Sequence, residues 1–274
     1  MKKALPVLLV SAALAISFLL SRGPSRSRES LLPMSRAVAE QAKGIDRAAG
    51  VVFPLSPEEE RRFGEDLDRR LAASEPAPGT PAATLAARWR EFGGDAASAP
   101  LVARFRGRYA FRTTPQGGLN AFALPGGFVY GTEPLLTRLG DDGDALLFVL
   151  GHEIGHVELG HCADAYRLRQ GARDPVTAVL GGVASVARLF ASIHFSSVQE
   201  LEADAYAVRL MRARRRDPRA GLRVFDALGL RVDDRFKRGP REVAAEGLTD
   251  YFRTHPGSWE RRAALEREAA QGAP

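Results

Sequence analysis

The chain has 274 residues and a formal net charge of +6, a length that allows one substantial domain with appended segments. Lysine and arginine are spread along the sequence, and no basic cluster alternates with aromatic residues, so we predict no nucleic-acid partner. Cys162 is the single cysteine, which excludes an internal disulfide and suits a buried structural thiol.

The N-terminus combines a basic start with an apolar stretch. Lys2 and Lys3 precede residues 4–20, which contain no charged side chain. This pattern is typical of a secretory signal or a marginal membrane span, and the lack of a small-residue cleavage site after Leu20 favours an uncleaved anchor. We therefore predict membrane association through residues 4–20. The expected location is the cell envelope, either periplasmic or anchored in the inner membrane, with the folded domain outside the cytoplasm.

Composition divides the chain into three parts. Residues 1–21 are the signal or anchor, 22–55 a linker and N-terminal segment, and 56–274 the main domain. A capping box at Ser56 predicts the start of a helix. A second helix over residues 82–92 is expected to end at a glycine pair, Gly93 and its neighbour.

A short β-region follows these helices. Alternating and apolar residues predict strands near 108–113, 119–124 and 128–131, separated by turns rich in proline and glycine. Together with the helical segments this predicts an α+β fold, mostly helical, with a small antiparallel sheet. An exposed edge of such a sheet can pair with an extended peptide, whereas a plain hairpin is the simpler interpretation.

The most informative stretch reads H-E-x-x-H and lies in an apolar helix predicted from residue 144 to about 169. His152 and His156 are four residues apart, so both imidazoles project from one helical face toward a common cation. Glu153 lies beside them, where a general base for hydrolysis belongs. Zinc is the expected metal, because it accepts nitrogen and oxygen ligands in a tetrahedral site with one open position.

A third ligand is available on a second predicted helix. Glu200 and Asp204 are again four residues apart, and Glu200 follows His156 by 44 residues, which leaves room for the chain to return. Two histidines and a carboxylate form the ligand set of hydrolytic zinc sites. Asp204 is better suited to hydrogen-bonding a ligand histidine and fixing its orientation.

A second apolar segment, residues 176–193, separates the two predicted ligand helices. Arg188 near its middle makes a membrane span costly. We expect a segment that packs near the site, where it partly covers the cleft, or one that lies on a membrane surface.

Several motifs occur in a fixed order along the chain. They are residues 119–127, the H-E-x-x-H, Glu200-x-x-Ala203-Asp204, Asp217-Pro218-Arg219-Ala220, and His255-Pro256 followed by Arg261. In order and spacing they resemble the gluzincin metallopeptidases, which include the type I CAAX prenyl endopeptidases and the HtpX-like heat-shock proteases. The chain is most similar to the soluble single-domain branch that includes the bacterial β-barrel-assembly-enhancing protease.

The resemblance implies a zincin-type metallopeptidase domain with one Zn²⁺ per chain. His152, His156 and Glu200 match the family's zinc ligands, and Glu153 matches its general base. The family's late histidine and arginine near the metal match two further residues, His255 and Arg261. His255 either stabilises the oxyanion or occupies the open zinc position in a resting state.

The resemblance also implies a protein or peptide substrate that binds as an added strand at the edge of the sheet, bordering the zinc cleft. The matching residues are Asn120, Ala121, Phe122 and Ala123. We predict a zinc-dependent endopeptidase of the cell envelope that hydrolyses misfolded or membrane-associated proteins. The alternative is a latched or non-proteolytic zinc-binding chaperone or adaptor, although a scaffold has no need of a base at Glu153.

Overall fold

The computed structural model describes residues 56–71, 76–115, 117–165, 195–229, 255 and 258–271. They belong to one compact unit, Lys43–Pro274. Within these ranges, no helix combines the length and the apolar character needed to cross a membrane. The predicted signal or anchor (1–21), the linker (22–55) and the apolar segment 176–193 lie outside the described residues.

Helices dominate the described part of the chain, as the sequence predicts. In chain order the elements are α1 (Pro57–Leu71), α2 (Pro81–Ala97), β1 (Ala110–Thr114), β2 (Ala121–Leu124), β3 (Phe128–Thr132), α3 (Glu133–Leu139), α4 (Gly143–Glu158), α5 (Ser197–Ala213), α6 (Ala220–Ala227) and α7 (Ser258–Ala270). The predicted α+β class with a small sheet is confirmed.

The sheet is mixed, and the expectation of a wholly antiparallel sheet holds for one strand pair. The strand order is β1-β3-β2. β2 and β3 pair antiparallel through a tight turn in which Gly126 and Gly127 have φ values of 81° and 89°. β1 pairs parallel with β3, because β3 inserts between the two earlier strands. β2 is thereby left at an edge of the sheet.

Two helices end at positions that differ from the predicted ones. α2 continues through Gly93 and ends at Ala97, because that glycine serves packing: a Cβ there would lie 2.3 Å from the ring of Phe111. α4 ends at Glu158, well before residue 169, and Gly160 follows with a φ of 80°. A positive φ of this kind stops a helix.

The core is organised around α4. Every residue from Ala145 to Val157 is buried, and the helix packs against α2, α5, α6 and the sheet. A second apolar cluster covers the other face of the sheet, where α1 contributes Leu67 and Leu71. A helix enclosed on all sides offers a water-poor environment, so polar side chains on α4 must find partners inside the protein.

Candidate metal centre

The buried helix α4 carries three polar side chains into the core. His152, Glu153 and His156 are each 0% exposed. Asp142 caps the N-terminus of this helix: its side chain accepts a hydrogen bond from the backbone N–H of Ala145 and satisfies one donor of the first turn.

Two glycines on α4 allow the second ligand helix to approach closely. A Cβ on Gly151 would lie 3.2 Å from the Cα of Ala207, and one on Gly155 would lie 3.3 Å from the carbonyl oxygen of Ala203. The facing residues on α5 are small and also four apart, so the helices meet along a seam of small residues. This close approach carries Glu200, which is fully buried, to the histidine pair of α4.

The donor atoms converge as a tetrahedral metal requires. Nε2 of His152 lies 3.1 Å from Nε2 of His156, and the two nitrogens lie 3.4 and 3.5 Å from the carboxylate oxygens of Glu200. Nδ1 of His255 lies 3.3 Å from Nε2 of His152. Zinc–nitrogen bonds of about 2.0 Å in a tetrahedron separate ligand atoms by roughly 3.3 Å. The four side chains therefore fit a zinc ion.

A carboxylate fixes the orientation of His152. Nδ1 of His152 lies 2.8 Å from Oδ1 of Asp204. Burial disfavours the charge on Asp204, but the guanidinium of Arg261 lowers the pKa of this carboxyl group below its usual value. An ionised carboxylate only accepts hydrogen bonds, so Nδ1 of His152 carries a proton, and Nε2 is the nitrogen left to bind a metal. The prediction that Asp204 contacts a ligand histidine agrees with this geometry.

Arg261 joins three parts of the site. Its Nε and Nη2 donate to the two oxygens of Asp204 at 2.7 and 2.8 Å, which makes a bidentate pair. Its Nη1 lies 2.7 Å from Oε2 of Glu200 and donates to the backbone carbonyl of His255 at 3.1 Å. Burial raises the pKa of Glu200, but His255 and Arg261 together hold it well below its usual value.

Glu153 differs from the other buried polar groups. Neither of its carboxylate oxygens has a hydrogen-bond partner among the described residues. Nε2 of His255 lies 3.6 Å from Oε1 of Glu153, beyond hydrogen-bonding distance. Burial raises the pKa of Glu153. A buried carboxyl group without a partner is costly, and such groups are characteristic of reactive sites.

His255 lies among the donor atoms. Its Nδ1 is 3.0 Å from Oε1 of Glu200, and its Nε2 is 3.4 Å from the backbone carbonyl of Ala121. A carbonyl oxygen only accepts, so Nε2–H faces Ala121, and Nδ1, which meets the carboxylate of Glu200, is the nitrogen placed to bind a metal there. Of the two alternatives for His255, this geometry favours the fourth metal ligand.

The predicted substrate-binding residues form the edge strand beside the metal centre. The backbone N–H and C=O of Asn120 bond Thr132, so Asn120 is directed toward β3. Pairing alternates along an antiparallel ladder, so Phe122 also bonds β3, and its ring stacks on Tyr130. The backbone groups of Ala121 and Ala123 therefore point away from β3: the carbonyl of Ala121 faces His255, and that of Ala123 faces the thiol of Cys162.

Two further residues contact His156; the sequence indicates for His161 only a solvated residue or one that supports a ligand, and it assigns Phe195 no role at the site. His161 places its Nδ1 3.0 Å from Nδ1 of His156, and the ring of Phe195 stacks on the ring of His156 at 3.8 Å between centroids. In the sequence, His161 stands out only as a histidine shortly after the H-E-x-x-H motif. Phe195 stands out only as an apolar residue before the helix N-cap, Ser196. Neither signal identifies His156 as the partner.

Comparison with known proteins agrees with this arrangement. The model of peptidase family M48 matches residues 95–269 of the chain. The mitochondrial metalloendopeptidase OMA1 of Arabidopsis thaliana is 28% identical over 153 residues, a match that covers 52% of this chain and spans only 28% of that relative's length. The match to the family model extends over the donor residues of the metal centre, and the chain therefore belongs to peptidase family M48, a family of zinc metallopeptidases.

Proposed function

We propose that the protein is a zinc-dependent endopeptidase that cleaves protein substrates in the cell envelope. The observation that carries the proposal is the convergence of His152, His156 and Glu200 beside the buried carboxyl group of Glu153, which has no hydrogen-bond partner in the described part of the chain. Family membership and the similarity to a metalloendopeptidase support the chemistry. The charge-free stretch at residues 4–20 supports the envelope location.

The division of labour among the residues follows from their positions. His152, His156 and Glu200 would hold the metal, and His255 would supply a fourth ligand at rest. A bound Zn²⁺ supplies Lewis acidity, which polarises the scissile carbonyl group and lowers the pKa of water. Glu153 accepts a proton from the attacking water and later donates it to the leaving amine. Its raised pKa makes the carboxylate a stronger base and so favours the first of these transfers.

The edge strand supplies the binding surface for the substrate. The outward backbone groups of Ala121 and Ala123 are the pairing surface for an extended peptide, which would replace His255 at the carbonyl of Ala121 and the thiol of Cys162 at the carbonyl of Ala123. Nε2 of His255 lies 3.4 Å from the carbonyl of Ala121, so the pairing edge adjoins the metal centre. Main-chain pairing is tolerant of sequence, which suits misfolded or membrane-associated proteins as substrates.

A latched zinc protein is the second candidate, and the position of His255 favours it. A nitrogen that occupies the fourth ligand position and a side chain bonded to Ala121 would together oppose substrate binding. In a latched enzyme, His255→Ala raises the rate of cleavage. In a non-proteolytic adaptor, the same substitution leaves cleavage absent.

The test compares wild type with Glu153→Gln in the full chain, with zinc content and casein cleavage as readouts. The variant keeps the shape and burial of the side chain but cannot accept a proton. We expect both proteins to bind one zinc per chain and only the wild type to cleave, with the variant's rate lower by about 10² to 10⁴. Cleavage by the variant at the wild-type rate would refute the role of Glu153. A wild type that binds no zinc would refute the centre itself.

A further inference from the structure

The two histidine ligands of α4 are held in different ways. His152 meets Asp204, which is 3% exposed and fixed by the bidentate Arg261. Among the residues that the structure describes, no carboxylate meets Nδ1 of His156; the contact there is Nδ1 of His161, 3.0 Å away. One face of the His156 ring is covered by Phe195, with an interplanar angle of 19°. The stacking fixes the plane of the ring but not the location of its proton.

Counting protons assigns the role of each nitrogen. Two nitrogens 3.0 Å apart share one proton, so one ring donates and the other accepts. For Nε2 of His156 to present a lone pair to a metal, the ring must be neutral with its proton on Nδ1. Nδ1 of His161 is then the acceptor, and the proton of His161 resides on its Nε2. That nitrogen lies 3.4 Å from Oε2 of Glu202.

We propose that His161 is a positioning residue for the metal ligand His156, and that Glu202 orients His161 in turn. The contacts from Glu202 to His161 and from His161 to His156 orient His156, just as Asp204 orients the other histidine ligand, His152. They select the tautomer in which Nε2 can bind the cation and fix the direction of the lone pair. The inference rests on the proposed metal centre, because it concerns how that centre is kept in its binding form.

Glu202 and His161 differ in exposure, and this difference predicts unequal effects on zinc affinity when each side chain is replaced. His161 is 4% exposed, whereas the Glu202 side chain is 40% exposed. Water can replace an exposed carboxylate as a hydrogen-bond partner, whereas the contact between the two rings is buried. Loss of the acceptor on His161 should therefore weaken zinc binding more than loss of Glu202.

The experiment uses two variants of matched size, His161→Asn and His161→Leu. Oδ1 of asparagine takes nearly the position of Nδ1 of histidine and accepts a hydrogen bond, whereas leucine has no acceptor. Zinc affinity is measured in the full chain by competition with a chromophoric chelator. The absorption spectrum of Co²⁺ bound in place of zinc reports the ligand geometry. The melting temperature of the metal-free proteins controls for packing.

We expect His161→Leu to lose about 10- to 100-fold in zinc affinity and to change the Co²⁺ spectrum, while His161→Asn retains both properties. Glu202→Ala should show a smaller loss in affinity than His161→Leu. Wild-type affinity in the leucine variant overturns the proposal, and so does an equal loss in the leucine and asparagine variants. Unchanged affinity in Glu202→Ala overturns the part assigned to Glu202. A wild type without zinc affinity instead overturns the proposed metal centre.

Discussion

Arg261 illustrates how much of the site depends on a single side chain. It is 1% exposed, and it neutralises two buried carboxylates, Asp204 and Glu200, while it also holds the backbone at His255. Its planar guanidinium group matches the two oxygens of Asp204, a geometry that a lysine ammonium group cannot reproduce. The arginine therefore links α7 to α5 and to the metal ligands at the same time.

We predict that Arg261→Gln lowers the free energy of unfolding by about 3–5 kcal/mol, because two carboxylates remain buried without their cation. Arg261→Lys should be less damaging but still weaken zinc binding, because lysine restores the positive charge but not the paired N–H donors of the guanidinium group. Urea denaturation and chelator competition measure the two effects. Arg267→Gln is the control, because this arginine lies on the same helix and is exposed. Equal stability of the Arg261→Gln and Arg267→Gln variants would contradict the role assigned to the buried arginine.

At the scale of elements, the seam between α4 and α5 sets the distance from the histidine pair to Glu200. A Cβ on Gly155 would lie 3.1 Å from the Cβ of Tyr206 and 3.3 Å from the backbone of Ala203. Backbone atoms cannot turn aside as a side chain can. A larger residue at Gly155 must therefore push the helices apart and move the carboxylate away from the histidines.

We predict that Gly155→Leu destabilises the fold by about 1–3 kcal/mol through overpacking and also reduces zinc affinity. Gly94→Leu is the matched control: Gly94 lies within helix α2, is exposed, and a Cβ there would meet nothing within 4 Å. The control should retain wild-type zinc affinity and gain helix propensity. Thermal denaturation and zinc titration of both variants provide the comparison, and equal behaviour of the two would show that the seam does not set the ligand distance.

Local periodicity explains which parts of the site could be predicted. His152, Glu153 and His156 follow from one helical turn, and Glu200 follows from a second pair with the same spacing. The role of His161 requires knowing that its ring turns back toward His156, which no spacing rule states. The pairing partner of a strand is likewise a tertiary property. The sequence therefore predicts β1 as a strand, but it does not predict the parallel pairing of β1 with β3.

At the scale of the whole molecule, a metal bound by the four donor side chains would join elements that are distant in the sequence. His152 and His156 lie on α4, Glu200 lies on α5, and His255 lies just before α7. All four side chains are buried, so the complete donor set exists only in the folded chain. A cation that binds the folded state alone stabilises it by mass action.

We predict that removal of zinc by a chelator lowers the melting temperature by about 10 °C, since zinc at a thousandfold excess over Kd contributes about 4 kcal/mol. Glu153→Gln should keep this difference between loaded and metal-free protein, because Glu153 holds no metal. His152→Ala should lose it. Differential scanning calorimetry measures the transitions. The same melting temperature for wild-type protein with and without zinc would show that the metal does not join these elements.

The separation of the ligands along the chain also bears on the order in which the protein is made. His152 and His255 are 103 residues apart, and Arg261 follows six residues later. A ribosome that has released both histidines of α4 must still add more than a third of the chain before Arg261 can join Asp204. The cleavage centre therefore stays incomplete through most of synthesis, so the nascent chain and its neighbours are not exposed to a functioning protease.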